Sequence, residues 1–119
     1  MIPTQANQEL DDILIAMANQ KRRAILKRLA GQEVRVTEIA ASFDVSLNAI
    51  SKHIKLLERA GLVQRRRSGR EHLLRFRPEP LRQVEDWIVR QRAFWQASLA
   101  AIDEMLQQED LGRSGSQED

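Results

Sequence analysis

The fold is decided by SLNAISKHIKLLERAG, residues 46–61. Ser46 is a favourable helix N-cap, because its hydroxyl can accept a hydrogen bond from a backbone N–H of the first turn. Gly61 is a favourable stop, because glycine can adopt the left-handed conformation that ends a helix. Apolar residues between them recur at three- and four-residue steps and predict one buried helix face: Leu47, Ile50, Ile54, Leu57 and Ala60.

The opposite face of this predicted helix is polar and basic. Amide, hydroxyl and cationic side chains are the groups that bond to base edges and phosphates of DNA. We therefore expect the helix to lie in a major groove of double-stranded DNA. A merely solvated face would have a similar composition, but the basic segment that follows favours DNA. The candidate contacts are Ser46, Asn48, Ser51, Lys52, His53, Lys55 and Arg59.

These candidates have different expected partners. Asn48 and Ser51 are expected at base edges, and Lys52 at a guanine or a phosphate. The two later cations are expected at phosphates. His53 borders the buried face, so it either packs there or bonds to a phosphate.

A β-hairpin, here called the wing (residues 62–77), is predicted next. Residues 62–67 and 71–77 favour strands, and Ser68-Gly69 favours the turn between them. Residues 45–77 carry nine basic and two acidic residues, a net +7, whereas the whole chain has a net charge of +2. One arginine would only aid solubility, but four around a glycine turn indicate phosphate or minor-groove contacts: Arg65, Arg66, Arg67 and Arg70.

Shorter helices precede the decisive stretch. Residues 9–18 and 20–30 show helical spacing of apolar residues. Residues 32–36 form a connector whose valines allow a brief strand. A short helix over 37–43 and a tight turn over 43–46 then complete a helix-turn-helix arrangement.

A long helix is predicted over 80–109, with Pro80 at its first turn. Its apolar stripe is too long for a domain of this size to cover, so we expect a homodimer through the first and last helices. Trp87, Phe94 and Trp95 could line a pocket for an unknown small-molecule effector, but dimer core is the favoured interpretation. The expected dimer residues are Leu10, Ile13, Leu14, Met17, Val84, Trp87, Ile88, Trp95, Leu99 and Ile102.

The composition of the chain argues against several other classes of protein. The 119 residues contain no cysteine and two isolated histidines, so we expect no disulfide, no metal site and no cofactor. No catalytic constellation is apparent, and an enzyme is not expected. No run of about 18 apolar residues or secretion signal is present, so a cytoplasmic protein without membrane contact is expected. We expect one domain over 9–109 and disorder in 1–8 and 110–119.

Residues 22–76, RRAILKRLAGQEVRVTEIAASFDVSLNAISKHIKLLERAGLVQRRRSGREHLLRF, resemble the ArsR/SmtB family of bacterial winged-helix repressors. SKHIKLLERAGLV followed by RRRSGR is the most specific part of the likeness, which extends over about residues 9–106. The resemblance implies a dimeric repressor that binds an imperfect palindrome, with the dimer built by the first and last helices.

The sequence departs from the metal-sensing founders of that family. Arg35 and Thr37 stand where those founders have ligand cysteines, and the last helix has no histidine. Zinc and similar metals favour imidazole or thiolate ligands, so metal sensing is not expected. The aromatic-rich last helix resembles a metal-free branch of the family.

These observations predict a mainly α-helical protein with a small β-hairpin, a winged helix-turn-helix in which four helices precede two strands and a fifth helix. The expected function is a homodimeric, sequence-specific DNA-binding transcriptional repressor that reads a palindromic operator with residues 46–60 and 65–71. The alternative is a protein-interaction module that uses the winged-helix shape without reading DNA specifically.

Overall fold

A computed structural model describes the backbone of residues 5–117 and the side chains of residues 7–112. The chain divides into two compact units, one ending at Val84 and one beginning at Glu85, and each is described by itself. In chain order the elements are α1 (Gln5–Met17), α2 (Gln20–Leu29), β1 (Val34–Arg35), α3 (Val36–Ser42), α4 (Leu47–Arg59), β2 (Val63–Ser68), β3 (Glu71–Phe76) and α5 (Leu81–Gln117).

The core of the first unit is aliphatic. No polar or charged side chain is buried among the residues whose side chains are described. Each fully buried leucine or isoleucine contributes roughly 1.5–3 kcal/mol relative to an exposed one, so this core holds the helices and the sheet together. Its largest members are Ile13, Ile25, Leu29, Ile39, Ile50, Ile54, Leu57, Leu62 and Leu74.

The predicted ends of α4 are confirmed. The Ser46 hydroxyl accepts a hydrogen bond from the backbone N–H of Ala49 at 3.1 Å. Gly61 has a φ of +74°, the left-handed conformation that favours glycine. In the turn before α4, the left-handed conformation is adopted by Asp44, with a φ of +51°, instead of by a glycine. Aspartate tolerates this conformation better than most residues. The sequence thus directs the chain sharply from α3 into α4.

The buried face of α4 differs from the prediction at one residue. Ile50, Ile54 and Leu57 are fully buried and Ala60 is 7% exposed, but Leu47 is 53% exposed. Leu47 is the first residue of α4 and lies beyond the reach of the core, which explains why helical spacing alone misplaces it.

The sheet has three strands in the order β1-β3-β2, all antiparallel. The predicted hairpin is confirmed, with Val63 paired to Phe76 and Ser68 paired to Glu71. The predicted element order had only the two strands of the hairpin and is corrected by a third strand, β1. This strand pairs with the free edge of β3, with Val34 opposite Leu74. The valine pattern of the connector allowed a strand, but Val36 begins α3 instead of extending it. The hairpin is therefore anchored on its far side as well as through α4.

Both terminal helices are longer than the sequence predicted. α1 begins at Gln5 instead of residue 9, and α5 continues to Gln117 instead of ending at 109, so much of the two predicted disordered ends is helical. Adding residues to an existing helix avoids the unfavourable nucleation step, and neither extension contains proline. Residues 1–4 and 118–119 lie outside the described residues.

Candidate nucleic-acid interface

The polar face of α4 is open to solvent. Asn48, Lys52, Lys55 and Arg59 are exposed and Ser51 is half-buried. Within the described part of the chain, none of these five side chains makes a hydrogen bond or an ion pair with another residue. The helix thus presents an amide, a hydroxyl and three cations that are all available to an external partner.

Ser46, also predicted as a contact, already has a structural role. Its oxygen accepts the N-cap hydrogen bond from Ala49. The hydroxyl proton can still donate outward, because a hydroxyl is both a donor and an acceptor. Ser46 therefore fixes the start of α4 whether or not it also contacts a ligand.

His53 has a partner that the sequence analysis missed. Its Nδ1 lies 3.2 Å from Nη1 of Arg22 in α2. A guanidinium can only donate, so Nδ1 accepts and the neutral ring carries its proton on Nε2. Burial lowers the pKa of His53, and the positive charges of Arg22 and Lys21 lower it further. His53 is therefore held neutral by α2 rather than presented as a cation.

The same arginine also caps α1. Its Nε donates to the carbonyl oxygen of Ala16 at 2.8 Å, and its Nη2 donates to the carbonyl oxygen of Ile15 at 2.9 Å. These carbonyl groups lie in the last turn of α1, where a helix offers no partner four residues further on, and that of Ile15 also accepts from the backbone N–H of Ala18 at 3.2 Å. Arg22 thus links the end of α1 to the middle of α4, and no local sequence signal predicts this.

The wing arginines lie on two different faces of the sheet. Arg65 pairs with Leu74 and Arg67 with His72, whereas Arg66 pairs with Leu73. Residues opposite each other share a face, and successive residues alternate. Arg65 is on the face that packs on α4, because Leu74 is buried there. Arg66 is therefore on the opposite face of the sheet.

Two of these arginines are already paired with carboxylates. Arg65 donates to Glu58 of α4 from Nη2 at 2.7 Å and from Nε at 3.4 Å. Arg66 donates to Glu33 from Nη2 at 2.6 Å and from Nε at 3.1 Å. The hydrogen bond from Arg66 lowers the pKa of the Glu33 carboxyl, and the same bond raises the pKa of Arg66. These two side chains hold the wing against α4 and the start of β1.

The tip of the wing is different. Arg67 donates from Nε to the carbonyl oxygen of Gly69 at 3.1 Å, a neutral acceptor that leaves the positive charge uncompensated. Arg70 is exposed and makes no hydrogen bond or ion pair to the residues whose side chains are described. Among the four arginines predicted as contacts, the charge without a carboxylate partner is therefore at the tip, on Arg67 and Arg70.

The predicted dimer residues divide into three groups by burial. Ile13 is only 1% exposed and belongs to the core, so its assignment to an interface is corrected. Leu10 is half-buried, and Met17 and Val84 are partly buried against the core. Ile15, which was not predicted, is 50% exposed on α1. The other predicted residues are exposed: Leu14, Trp87, Ile88, Trp95, Leu99 and Ile102.

The second unit, from Glu85 onward, is an apolar-striped helix. Phe94, Met105 and Leu106, which also belong to the predicted stripe, are exposed there. The rings of Phe94 and Trp95 lie edge to face with centroids 5.8 Å apart. None of the described helices is long and apolar enough to span a membrane.

The two positions discussed for metal binding are occupied by Arg35 and Thr37, and Arg35 is engaged in an ion pair. Arg35 forms an ion pair with Glu71, with Nε 2.9 Å from the carboxylate oxygen. Across the described residues, no three histidine, aspartate or glutamate side chains are grouped so as to hold a metal ion.

A helix-turn-helix followed by a basic antiparallel hairpin defines the chain as a winged helix-turn-helix protein. Residues 17–66 match the family described as "Helix-turn-helix domain". The HTH-type transcriptional regulator Rv2034 of Mycobacterium tuberculosis is 33% identical over 94 residues, covering 79% of this chain and 85% of the relative.

Solved structures agree with that assignment. An ArsR-like transcriptional regulator from Rhodococcus sp. RHA1 superposes with a TM-score of 0.78 at 28% identity, covering 89% of this chain and 97% of the other. A homodimeric winged helix-turn-helix DNA-binding domain from Mycobacterium bovis gives a TM-score of 0.60 at 26% identity, covering 76% and 91%. The ArsR family transcriptional regulator RHA00566 is 34% identical, covering 79% of this chain and 97% of the other, with a TM-score of 0.72. This chain therefore belongs to the ArsR family of helix-turn-helix transcriptional regulators.

Proposed function

We propose that the protein is a homodimeric transcriptional repressor that binds a palindromic operator in double-stranded DNA and does not sense metals. The observation that carries this proposal is the polar face of α4, where five adjacent hydrogen-bonding or cationic side chains have no described partner within the chain. Exposed side chains of this kind on one helix match what base edges and phosphates require.

The contacts divide by chemistry. Asn48 and Ser51 lie closest to the start of α4, the part of a recognition helix that meets base edges. Lys52, Lys55 and Arg59 supply charge along the rest of the helix, where phosphates or a guanine would meet them. In the wing, the tip carries the phosphate or minor-groove contacts, because the other two arginines are engaged with Glu58 and Glu33.

A second copy of the chain would cover the apolar stripe of α5. Trp95 is 61% exposed and Leu99 is 59% exposed, and bulky apolar side chains in a continuous stripe usually mark an interface. The related Mycobacterium bovis domain is homodimeric, which supports this assembly. Two copies related by a two-fold axis would place their recognition helices in major grooves about 10–10.5 base pairs apart.

The proposal that the protein does not sense metals is supported by Arg35 and Thr37, which stand where the metal-sensing members of the family have ligand cysteines. Arg35 brings a positive charge there and is engaged by Glu71, and Thr37 offers only a hydroxyl. Neither side chain provides the thiolate or imidazole that zinc favours. We assign Trp87, Phe94 and Trp95 to the dimer core, and release from DNA would require an effector that favours a different spacing of the two helices.

The test begins with selection of duplexes from a random library by the purified protein. We expect enrichment of an inverted repeat. Binding of the selected duplex and of a scrambled duplex is then measured by fluorescence anisotropy over a range of salt. Asn48→Ala should weaken binding to the selected duplex about tenfold and leave the scrambled duplex almost unchanged, because it removes a base contact.

Two comparisons make this test specific. Lys55→Ala should weaken binding to both duplexes, whereas Arg92→Ala, an exposed cation on α5, should weaken neither. Transcription from a promoter that contains the selected repeat should fall when the protein is added. If no sequence is enriched and Asn48→Ala has no effect, the chain is better described as a protein-interaction module with a winged-helix shape.

A further inference from the structure

Leu47 is an apolar side chain within an otherwise polar surface. It is 53% exposed at the first position of α4, although its spacing matches the buried residues of that helix. It lies beside Asn48, and Ser51 is one turn further along the same side of α4. Leu47 and Ser51 also line one cleft of about 300 Å³ with Arg70 of the wing. A hydrophobic group is thus placed among the groups available to DNA.

Only one methyl group is present on the major-groove edges of the four bases. Adenine, guanine and cytosine present hydrogen-bond donors or acceptors and no methyl group, whereas thymine also presents its 5-methyl group. A leucine pressed against a donor or acceptor would leave that polar group unpaired, which carries a cost. Against the thymine methyl group, the same leucine would bury apolar surface on both sides.

We propose that Leu47 is a specificity-determining residue that contacts the 5-methyl group of one thymine in each half-site. The inference rests on the proposed function and adds to it the identity of one base. The neighbouring Asn48 and Ser51 then bond to polar base edges next to that thymine, so hydrogen bonding and methyl contact read adjacent positions of the same groove.

Methyl deletion tests this contact directly. In the duplex selected by the wild-type protein, each thymine is replaced in turn by deoxyuridine, which differs from it only by the missing methyl group. We expect one position per half-site where the replacement weakens binding about fourfold, the change that corresponds to burying one methyl group. In the variant Leu47→Ala, the penalty at that position should disappear while the penalties at other positions remain.

The controls separate this inference from the function on which it rests. Leu111→Ala, an exposed leucine on α5, should keep the full deoxyuridine penalty. Leu47→Met should keep part of it, because methionine retains an apolar end. If the protein selects a sequence but every thymine tolerates deoxyuridine, or if the penalty persists in Leu47→Ala, the inference is overturned and the proposed function stands. If the protein selects no sequence, both are overturned.

Discussion

Arg22 and His53 are in contact, with Nη1 of the guanidinium 3.2 Å from Nδ1 of the imidazole. The contact joins α2 to α4 across 31 residues of sequence. The same guanidinium also donates to two carbonyl groups at the end of α1. The orientation of α4, and with it the surface that we propose binds DNA, therefore depends on a side chain whose hydrogen bonds are made within the protein.

The Arg22–His53 contact predicts that acid weakens the fold. The ordinary pKa of histidine, 6.5, applies to the unfolded chain, and burial together with nearby cations lowers the pKa of His53 in the folded chain. Between these two values the unfolded chain binds a proton that the folded chain does not. The contribution of His53 to the free energy of unfolding should therefore be constant above about pH 6.5 and decrease as the pH falls towards the lowered value.

Urea unfolding of the wild-type protein and of His53→Gln, from about pH 8 to about pH 5, measures this effect. Glutamine can still accept from Arg22 but does not titrate, so the variant should lose less stability in acid. Carboxyl groups titrate equally in both proteins and cancel in the difference. His72→Gln, an exposed histidine on β3, should behave as the wild type does. Equal acid sensitivity in wild type and His53→Gln would contradict the prediction.

Removal of the Arg22 side chain should destabilise the protein. Arg22→Ala loses two hydrogen bonds to α1 carbonyls and the bond to His53, and it should lower the free energy of unfolding by about 2 kcal/mol. Lys27→Ala, an exposed cation on the same helix, should change it by less than about 0.5 kcal/mol. Thermal and urea unfolding check both values, and similar losses in the two variants would show that the network around Arg22 contributes little.

Local sequence signals predicted the elements of the fold well. Ser46 and Gly61 mark the limits of α4 through hydrogen bonding and backbone conformation, and both effects are local. Leu47 was misplaced because helical spacing identifies a face of a helix but not how far the core extends along it. The added strand β1 was only suggested by its valines, since its existence depends on a partner, β3, distant in sequence.

The site was less predictable than the fold. Strand alternation alone could have placed Arg66 and Arg65 on opposite faces of the hairpin, so that difference was available from the sequence. The partners of these arginines were not, because the ion pair of Arg66 with Glu33 joins residues 33 positions apart. Charge counting therefore did not reveal that two of the four wing arginines are paired with carboxylates.

The wing arginines should differ in their effect on the salt dependence of DNA binding. Arg70→Ala removes an exposed cation that has no partner among the described side chains, and it should reduce the slope of log affinity against log salt by about 0.9, the value for one phosphate contact. Arg66→Ala should leave that slope almost unchanged, because Arg66 lies on the other face and pairs with Glu33. Titrations at several salt concentrations give both slopes, and a larger change for Arg66→Ala would reverse the assignment.

The apolar stripe of α5 predicts the behaviour of a charged substitution. Trp95→Glu places a carboxylate within the stripe, where a second copy would have to bury it without a partner, so the dimer should dissociate. Light scattering coupled to size exclusion should then report a monomer with unchanged helical content. Because the two half-sites are no longer engaged together, affinity for the inverted repeat should fall about 100-fold or more.

Gln96→Glu is the matched control, because it adds the same charge at an exposed neighbouring position outside the stripe, and it should remain dimeric. A Trp95→Glu protein that stays dimeric and binds DNA normally would exclude this face of α5 as the dimer interface.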